Sequence, residues 1–218
     1  MYDIIISIRL KKAKIMSQIG TIANIRMGAT LRGRDATRPT PTGSCNFLRI
    51  GDISQDGKLL TEELIRIEPN ESIKDDLFLR SGDVLFPNRG TRTTALAYRL
   101  DLPRTLVGAQ FFVLRPNPER VLPEYLAWFL RTEEAARYFD GLRKGTYVQI
   151  IQRSDLADMK MPLPQLDVQQ KIVDASNLAL RERNIEEKLA SLRWKLSRSI
   201  ISKAAVNYSE HKYKESVR

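Results

Sequence analysis

Gly145-Thr146-Tyr147-Val148-Gln149-Ile150-Ile151, then Leu156-Ala157-Asp158-Met159-Lys160-Met161-Pro162-Leu163-Pro164, then Gln165-Leu166-Asp167-Val168-Gln169-Gln170-Lys171-Ile172-Val173, is the run that decides how this chain is built. A polar loop with one aromatic residue passes through a stiff Pro-x-Pro hinge into a stretch that holds no proline or glycine up to Arg218. Proline breaks a helix interior and glycine weakens one, so this stretch is open to a long uninterrupted helix. From Leu166 to about Val206 such a helix is roughly 60 Å long, more than so small a domain can cover. Leu178, Ile185 and Leu192 recur every seven residues along it, with Leu189 and Leu196 as a second row. Two apolar rows edged by charge are the pattern of a coiled coil, although Glu182 falls on the seam. The seam predicts a dimer contact through Leu178, Ile185, Leu189, Leu192 and Leu196.

Working back from the rod, Pro123 is a favoured first-turn residue and predicts a helix to about Asp140, with Gly141 just past its end. Leu126, Phe129 and Leu130 line one face, Tyr138 and Phe139 extend the apolar content, and Trp128 reads as packed. Ahead of it stand short strand candidates: Phe47 to Ile50, Leu64 to Ile67, Val84 to Pro87, Ala95 to Leu100 and Phe111 to Arg115. Most are bounded by turn residues such as Asp56-Gly57, Ser81-Gly82-Asp83 and Asn88-Arg89-Gly90. Many short strands between frequent turns predict an α+β head with a curved, mostly antiparallel sheet and a few helices. Residues 17 to about 30 read as a short element ending near Gly28. Gly33 to Ser44 is a Gly-, Pro- and Thr-rich loop with too few apolar groups to be core. Residues 1 to about 16 fit either a short strand or an arm.

The chain has 218 residues, with 42% hydrophobic and 28% charged side chains, the balance of a globular protein. No apolar run approaches the roughly 18 residues a membrane span needs. The Ile4-Ile5-Ile6 run lacks a signal-type cleavage site. One cysteine, Cys45, precludes an internal disulfide and suits a reducing compartment, so a cytoplasmic location is expected. The net charge of +10 favours polyanionic partners, because phosphate neutralisation supplies most sequence-independent DNA affinity.

Bond-making machinery is hard to find. With one histidine, His211, and one cysteine, neither a Cys–His nucleophile pair nor a Cys/His metal cluster can be assembled in one chain. Gly82 to Thr91 lacks a Walker ending, and no Gly-x-Gly-x-x-Gly is present. The carboxylate pairs Asp75/Asp76 and Glu133/Glu134 read as solvated faces. Arginine in loops is plentiful instead. Arg80, Arg89, Arg92, Arg99 and Arg104 are opposed only by Asp83 and Asp101 in that stretch. Arg89 and Arg92 flank Gly90-Thr91 and precede Thr93-Thr94. Glycine permits close backbone approach, Thr91 and Thr93 hydroxyls can bind phosphate, and arginine can fork onto guanine. The loop from Gly28 to Arg49 adds Arg32, Arg34 and Arg38 against Asp35. A third cluster runs through Arg143, Lys144, Thr146, Tyr147 and Gln149. Tyr147 can stack or touch phosphate and Gln149 can pair with adenine, or Tyr147 packs on the Pro123 helix and Gln149 caps a turn.

These stretches, taken in order, resemble the specificity subunits of type I restriction-modification enzymes. Ile19-Gly20-Thr21-Ile22-Ala23-Asn24-Ile25-Arg26-Met27-Gly28 is similar to the opening of a target-recognition domain, and Phe47-Leu48-Arg49-Ile50-Gly51-Asp52-Ile53 to its first strand and turn. Ser81-Gly82-Asp83-Val84-Leu85-Phe86 with Arg89-Gly90-Thr91 resembles its central turn and polar loop. Gly145-Thr146 through Ile150, Met161 to Leu166 and Gln169 to Val173 resemble its junction into the helix. The match runs over roughly residues 18 to 205. The resemblance implies a target-recognition domain at 1–162, a spacer and dimerisation helix at 163–207 and a flexible tail at 208–218. Family members carry two such domains and two helices, so this chain resembles a half-size form. Two copies paired through the helix would then read a split palindrome of double-stranded DNA. The resemblance also implies methyltransferase and restriction subunits as partners. S-adenosylmethionine, ATP and magnesium would serve chemistry in those chains, with no cofactor or catalytic residue here. Two other readings stay open: a basic coiled-coil adaptor for RNA or acidic proteins, and a small metal-dependent nuclease using Asp52 or Asp83.

Overall fold

A computed structural model of the protein describes residues 15–33, 37–61, 63–89, 94–142 and 150–216, with side chains as far as 205. Its strands are β1 (Met16–Gln18), β2 (Ala23–Met27), β3 (Cys45–Leu48), β4 (Ile65–Ile67), β5 (Val84–Pro87), β6 (Leu96–Ala97), β7 (Thr105–Val107), β8 (Phe111–Pro116) and β9 (Lys160–Pro162). Its helices are α1 (Pro123–Leu130), α2 (Glu133–Leu142), α3 (Arg153–Asp158) and α4 (Leu166–Ser216). Contacts divide the chain into two units, Met1–Val173 and Asp174–Arg218.

The first unit is organised by the antiparallel sheet β2-β8-β5-β6. Val84-Leu85-Phe86-Pro87 and Phe111-Phe112-Val113-Leu114 are continuous apolar runs, as expected where both sheet faces are covered. Side chains alternate along a strand, so Val84, Phe86, Phe112 and Leu114 pack with Leu126, Phe129 and Phe139 of the helices. Leu85, Phe111 and Val113 point the other way, against Leu48, Val107 and Tyr98. A second sheet, β4-β3-β7, supplies that other layer, and its β3–β7 pair is parallel. The sheet content is mostly antiparallel, as expected, and is shared among three small sheets.

The third sheet is the pair β1–β9, with Met16 opposite Pro162. Leu163 donates to the Ile15 carbonyl at 2.8 Å, and Met161 is fully buried. The stiff Pro-x-Pro segment is therefore held against β1 and Ile15. Just beyond it, the buried Gln169 donates to the carbonyls of Pro164 and Arg120 at 2.8 and 2.9 Å and accepts from the Leu122 N–H at 2.9 Å. These bonds tie the first turns of α4 to the loop before α1.

The helix expected from Pro123 to about Asp140 is two helices. Thr132 breaks it: its hydroxyl donates to the Phe129 carbonyl at 2.7 Å and accepts from the Ala135 N–H at 3.3 Å, which caps α2. Gly141 lies inside α2 and adopts no left-handed conformation, so it is not the cap the sequence suggested. Trp128 is packed, stacking on Tyr125 with ring centroids 5.3 Å apart. Asp75/Asp76 and Glu133/Glu134 sit in the first turns of helical segments and are exposed.

In the second unit, α4 continues and every described residue from Arg181 to Ala205 is exposed. The seam is bare: Leu178, Ile185, Leu189, Leu192 and Leu196 are each about half or more exposed, as are Ile200, Trp194 and Ile201. Arg183 and Glu187 pair one turn apart at 3.5 Å, one of the few supports an isolated helix has.

Candidate nucleic-acid interface

The β7–β8 turn, Gly108-Ala109-Gln110, is where the basic loops meet. Ala29 pairs with Gly108 in a parallel bridge and donates to the Val107 carbonyl at 2.7 Å. This approach requires Gly28, because a Cβ there would overlap the Gly108 and Val107 carbonyls. The loop that carries Arg32 and Arg38 is thereby anchored on one side of the turn. On the other side, Asn88 donates its backbone N–H to the Gln110 carbonyl at 2.9 Å and its carboxamide to the Ala109 carbonyl at 2.8 Å. The Asn88 carbonyl accepts from the Ile151 N–H at 2.9 Å, and Arg89 bridges Ile150 in antiparallel fashion. One buried asparagine therefore fastens Arg89, the Ile150–Ile151 segment and the β7–β8 turn to one another. Its Oδ1 is buried and has no partner among the described residues.

Arg32, Arg38 and Arg89 are exposed, as a nucleic-acid surface requires. Arg34, Thr91, Arg92, Thr93, Arg143, Lys144, Thr146, Tyr147 and Gln149 lie outside the described residues. Of the other loop arginines, Arg99 is clamped by Glu124, which draws its second nitrogen to 2.7 Å. That pair raises the Arg99 pKa, and although burial pushes Glu124 up, the Arg99 bonds hold it below its ordinary value. Arg104 lies over the Phe78 ring at 4.7 Å and donates to the Ser44 carbonyl at 3.3 Å. These two arginines hold the head together; a count of loop cations in the sequence does not separate them from Arg89.

The two aspartates of the nuclease reading are also engaged. Asp83 is 1% exposed, takes both prongs of Arg115 at 2.8 Å and accepts from the Arg80 N–H at 2.9 Å. The bond to Asp83 raises the Arg115 pKa, while burial lowers that of the neighbouring Arg26. Gly82, at φ +96°, makes this tight Asp-latched turn possible. Asp52 is buried, accepts from the Arg49 N–H at 2.8 Å and takes that guanidinium at 3.0 and 3.3 Å. Each carboxylate already serves a guanidinium and a backbone amide. No group of three or more metal-ligating side chains occurs among the described residues. Nor is any helix among them long and apolar enough to cross a membrane.

An open pocket of about 450 Å³ lies against the turn. Phe47, Ile50, Ala29 and Leu31 give it an apolar floor, and Thr30, Thr37, Arg49 and Gln110 supply its polar groups. Leu31 and Thr37 are chain neighbours of Arg32 and Arg38, so the pocket is bordered by the basic loop. Arg49 and Gln110 were not among the residues the sequence singled out for contact. The sequence signal was Gly108 between two apolar runs, which marks a turn.

Residues 12–188 match the family described as Type I restriction modification DNA specificity domain. The chain is 31% identical over 134 residues to the Type I restriction enzyme HindI specificity subunit of Haemophilus influenzae, covering 59% of this chain and 28% of that protein. The fold is similar to the HsdS subunit of Thermoanaerobacter tengcongensis, with TM-score 0.58 and 25% identity over 79% of this chain and 43% of the other. It is also similar in fold to a type I restriction-modification S subunit from M. genitalium, with TM-score 0.53 and 14% identity over 83% of this chain and 42% of that one. The chain thus spans less than half the length of these relatives. The family match covers well over half of the sequence, and the chain belongs to the type I restriction-modification DNA specificity domain family.

Proposed function

We propose that this chain reads a DNA sequence for the catalytic subunits of a type I restriction-modification system and itself makes or breaks no bond. The observation that carries this reading is the convergence of the Arg32–Arg38 and Arg89 loops on the Gly108–Gln110 turn, in a member of a specificity family. Two copies pair through the seam of α4, which spaces their heads and makes the target a split palindrome. Methyltransferase subunits, and restriction subunits where present, dock on the same helix. Methylation from S-adenosylmethionine and cleavage driven by ATP with magnesium take place in those partner chains. The exposed row from Leu178 to Leu196 supports the pairing. Trp194 and Ile201 lie about half a turn round from that row, at 3.6 residues per turn, and offer a second apolar strip for a docked subunit.

Selection from a random DNA pool, with the chain bound to its methyltransferase partner, tests the reading. Two identical, inverted half-sites at a constant gap are expected. Enrichment of a single unsymmetrical site would overturn the pairing, and salt-sensitive binding without any enriched sequence would overturn recognition. Lengthening α4 by four residues after Val173 should change the preferred gap.

A further inference from the structure

We propose that the pocket that Thr30, Leu31 and Thr37 form with the Gly108–Gln110 turn is a base-reading subsite, in which the Gln110 carboxamide reads one base-pair edge and the Arg49 guanidinium holds the adjoining phosphate. The inference rests on the DNA-reading role proposed above and assigns it to residues the sequence did not mark.

Gln110 is half-buried, and its carboxamide makes no hydrogen bond to a described residue. A half-buried amide without an internal partner is a donor–acceptor pair available to a ligand. A glutamine presents that pair in the arrangement that matches adenine N6 and N7. The side chain also has a defined position. Its Oε1 would lie 2.6 Å from a Cβ placed on Gly108, so the glycine makes the room it occupies.

Arg49 is built differently. Asp52 grips it through Nε and one terminal nitrogen, and the aspartate side chain is 8% exposed while the arginine side chain is 49% exposed. The guanidinium is thus aimed before a ligand arrives and keeps an open side for a phosphate. The apolar floor of Phe47, Ile50, Ala29 and Leu31 suits the face or methyl group of a base, and the Thr30 and Thr37 hydroxyls stand at the rim. Asn88 is bonded to Ala109 in the pocket wall, and its buried, unpartnered Oδ1 is a further acceptor next to the same turn. The neighbouring Arg32, Arg38 and Arg89 favour a polyanion as the occupant.

The test uses the full chain with its methyltransferase partner and compares selected DNA sequences for the wild type, Gln110→Ala and Gln110→Glu. The alanine variant should lose about tenfold discrimination at one position of each half-site, as expected for one bidentate base contact. Its affinity for unrelated DNA and its salt dependence should stay unchanged, and so should its melting temperature. Gln110→Glu removes the donor and should shift that same position towards a base pair whose exposed edge donates, such as cytosine N4. Unaltered selected sequences for both variants would overturn the subsite while leaving sequence recognition intact. If the wild type selects no sequence, the failure belongs to the proposed function instead. Arg49→Lys keeps the charge but loses the two-pronged grip of Asp52; it should weaken binding to all sequences several-fold without altering the selected motif, and a changed motif with unchanged affinity would remove Arg49 from the phosphate.

Discussion

The sheet strands and the terminal helix hold comparable apolar side chains, yet they dispose of them in opposite ways. In β5 and β8 the runs Val84-Leu85-Phe86 and Phe111-Phe112-Val113-Leu114 are buried on both faces. In α4 the row Leu178, Ile185, Leu189, Leu192 and Leu196 stays open. Burying a large aliphatic side chain is worth about 1.5–3 kcal/mol, so an open row of this length is a strong drive to associate. The first unit buries its own apolar runs, whereas the row on the helix stays uncovered among the described residues.

Charge shows the same contrast at closer range. Arg99, Arg104 and Arg115 are held by Glu124, Phe78 and Asp83, and they stabilise the head. Arg32 and Arg89 are exposed on either side of the Gly108–Gln110 turn, without such a partner among the described residues. A loop arginine is therefore engaged within the head or open to a partner according to what faces it, and residue type alone does not tell which.

The largest effect should come from the buried latch. Asp83→Ala leaves the Arg115 guanidinium without its carboxylate and should destabilise the head by about 3 kcal/mol, seen as a lower urea midpoint. The association of the helices should survive it wherever the head remains folded. A variant as stable as the wild type would mean that the pair is replaceable by solvent.

Leu189→Glu acts on the other side of the contrast. A carboxylate in an apolar seam should weaken self-association by roughly 2–3 kcal/mol while the thermal melt of the head stays put. Sedimentation equilibrium reads the outcome, and an unchanged mass would remove this row from the dimer contact. Arg89→Ala should weaken binding to the selected DNA by about 1–3 kcal/mol if the guanidinium reads a base. Equal affinity in a fluorescence titration would take Arg89 off the surface.

The smallest effect concerns Arg99–Glu124. Because the folded pKa of Glu124 is depressed, the pair's contribution is present above the ordinary carboxylate range and is lost as pH falls through the depressed value. Both side chains are more than a third exposed, so solvent limits the effect to about 1 kcal/mol or less. Comparing urea midpoints of the wild type and Glu124→Gln from about pH 6 to about pH 3 tests this. The wild type should fall further than the variant over that range, and parallel curves would show that the pair is already screened out.

Some elements could be read from local pattern. Val84 to Pro87 is a strand as expected, and Phe111 to Arg115 is extended by one residue. Their apolar runs are bounded by turn residues, so the signal is contained within the element. The strands β7 and β9 carry no local mark, and residues up to about 16 fit a strand or an arm equally, because such segments gain their stability from a distant partner: β1 pairs with β9 across the whole first unit. The break at Thr132 was hidden because the apolar face runs on through it, while the capping hydrogen bond that decides the matter is a matter of geometry.

What the amino-acid order determined alone is the long helix with its heptad row, the basic loops and the resemblance to the family. Periodicity, charge and motif spacing are properties of neighbouring residues and survive without coordinates. Tertiary structure decided that Arg99, Arg104 and Arg115 are engaged within the head, and that Ala29 and Asn88 both meet the Gly108-Ala109-Gln110 turn. Those outcomes depend on backbone pairings between segments tens of residues apart, and no local pattern encodes which distant carbonyl a given N–H will find.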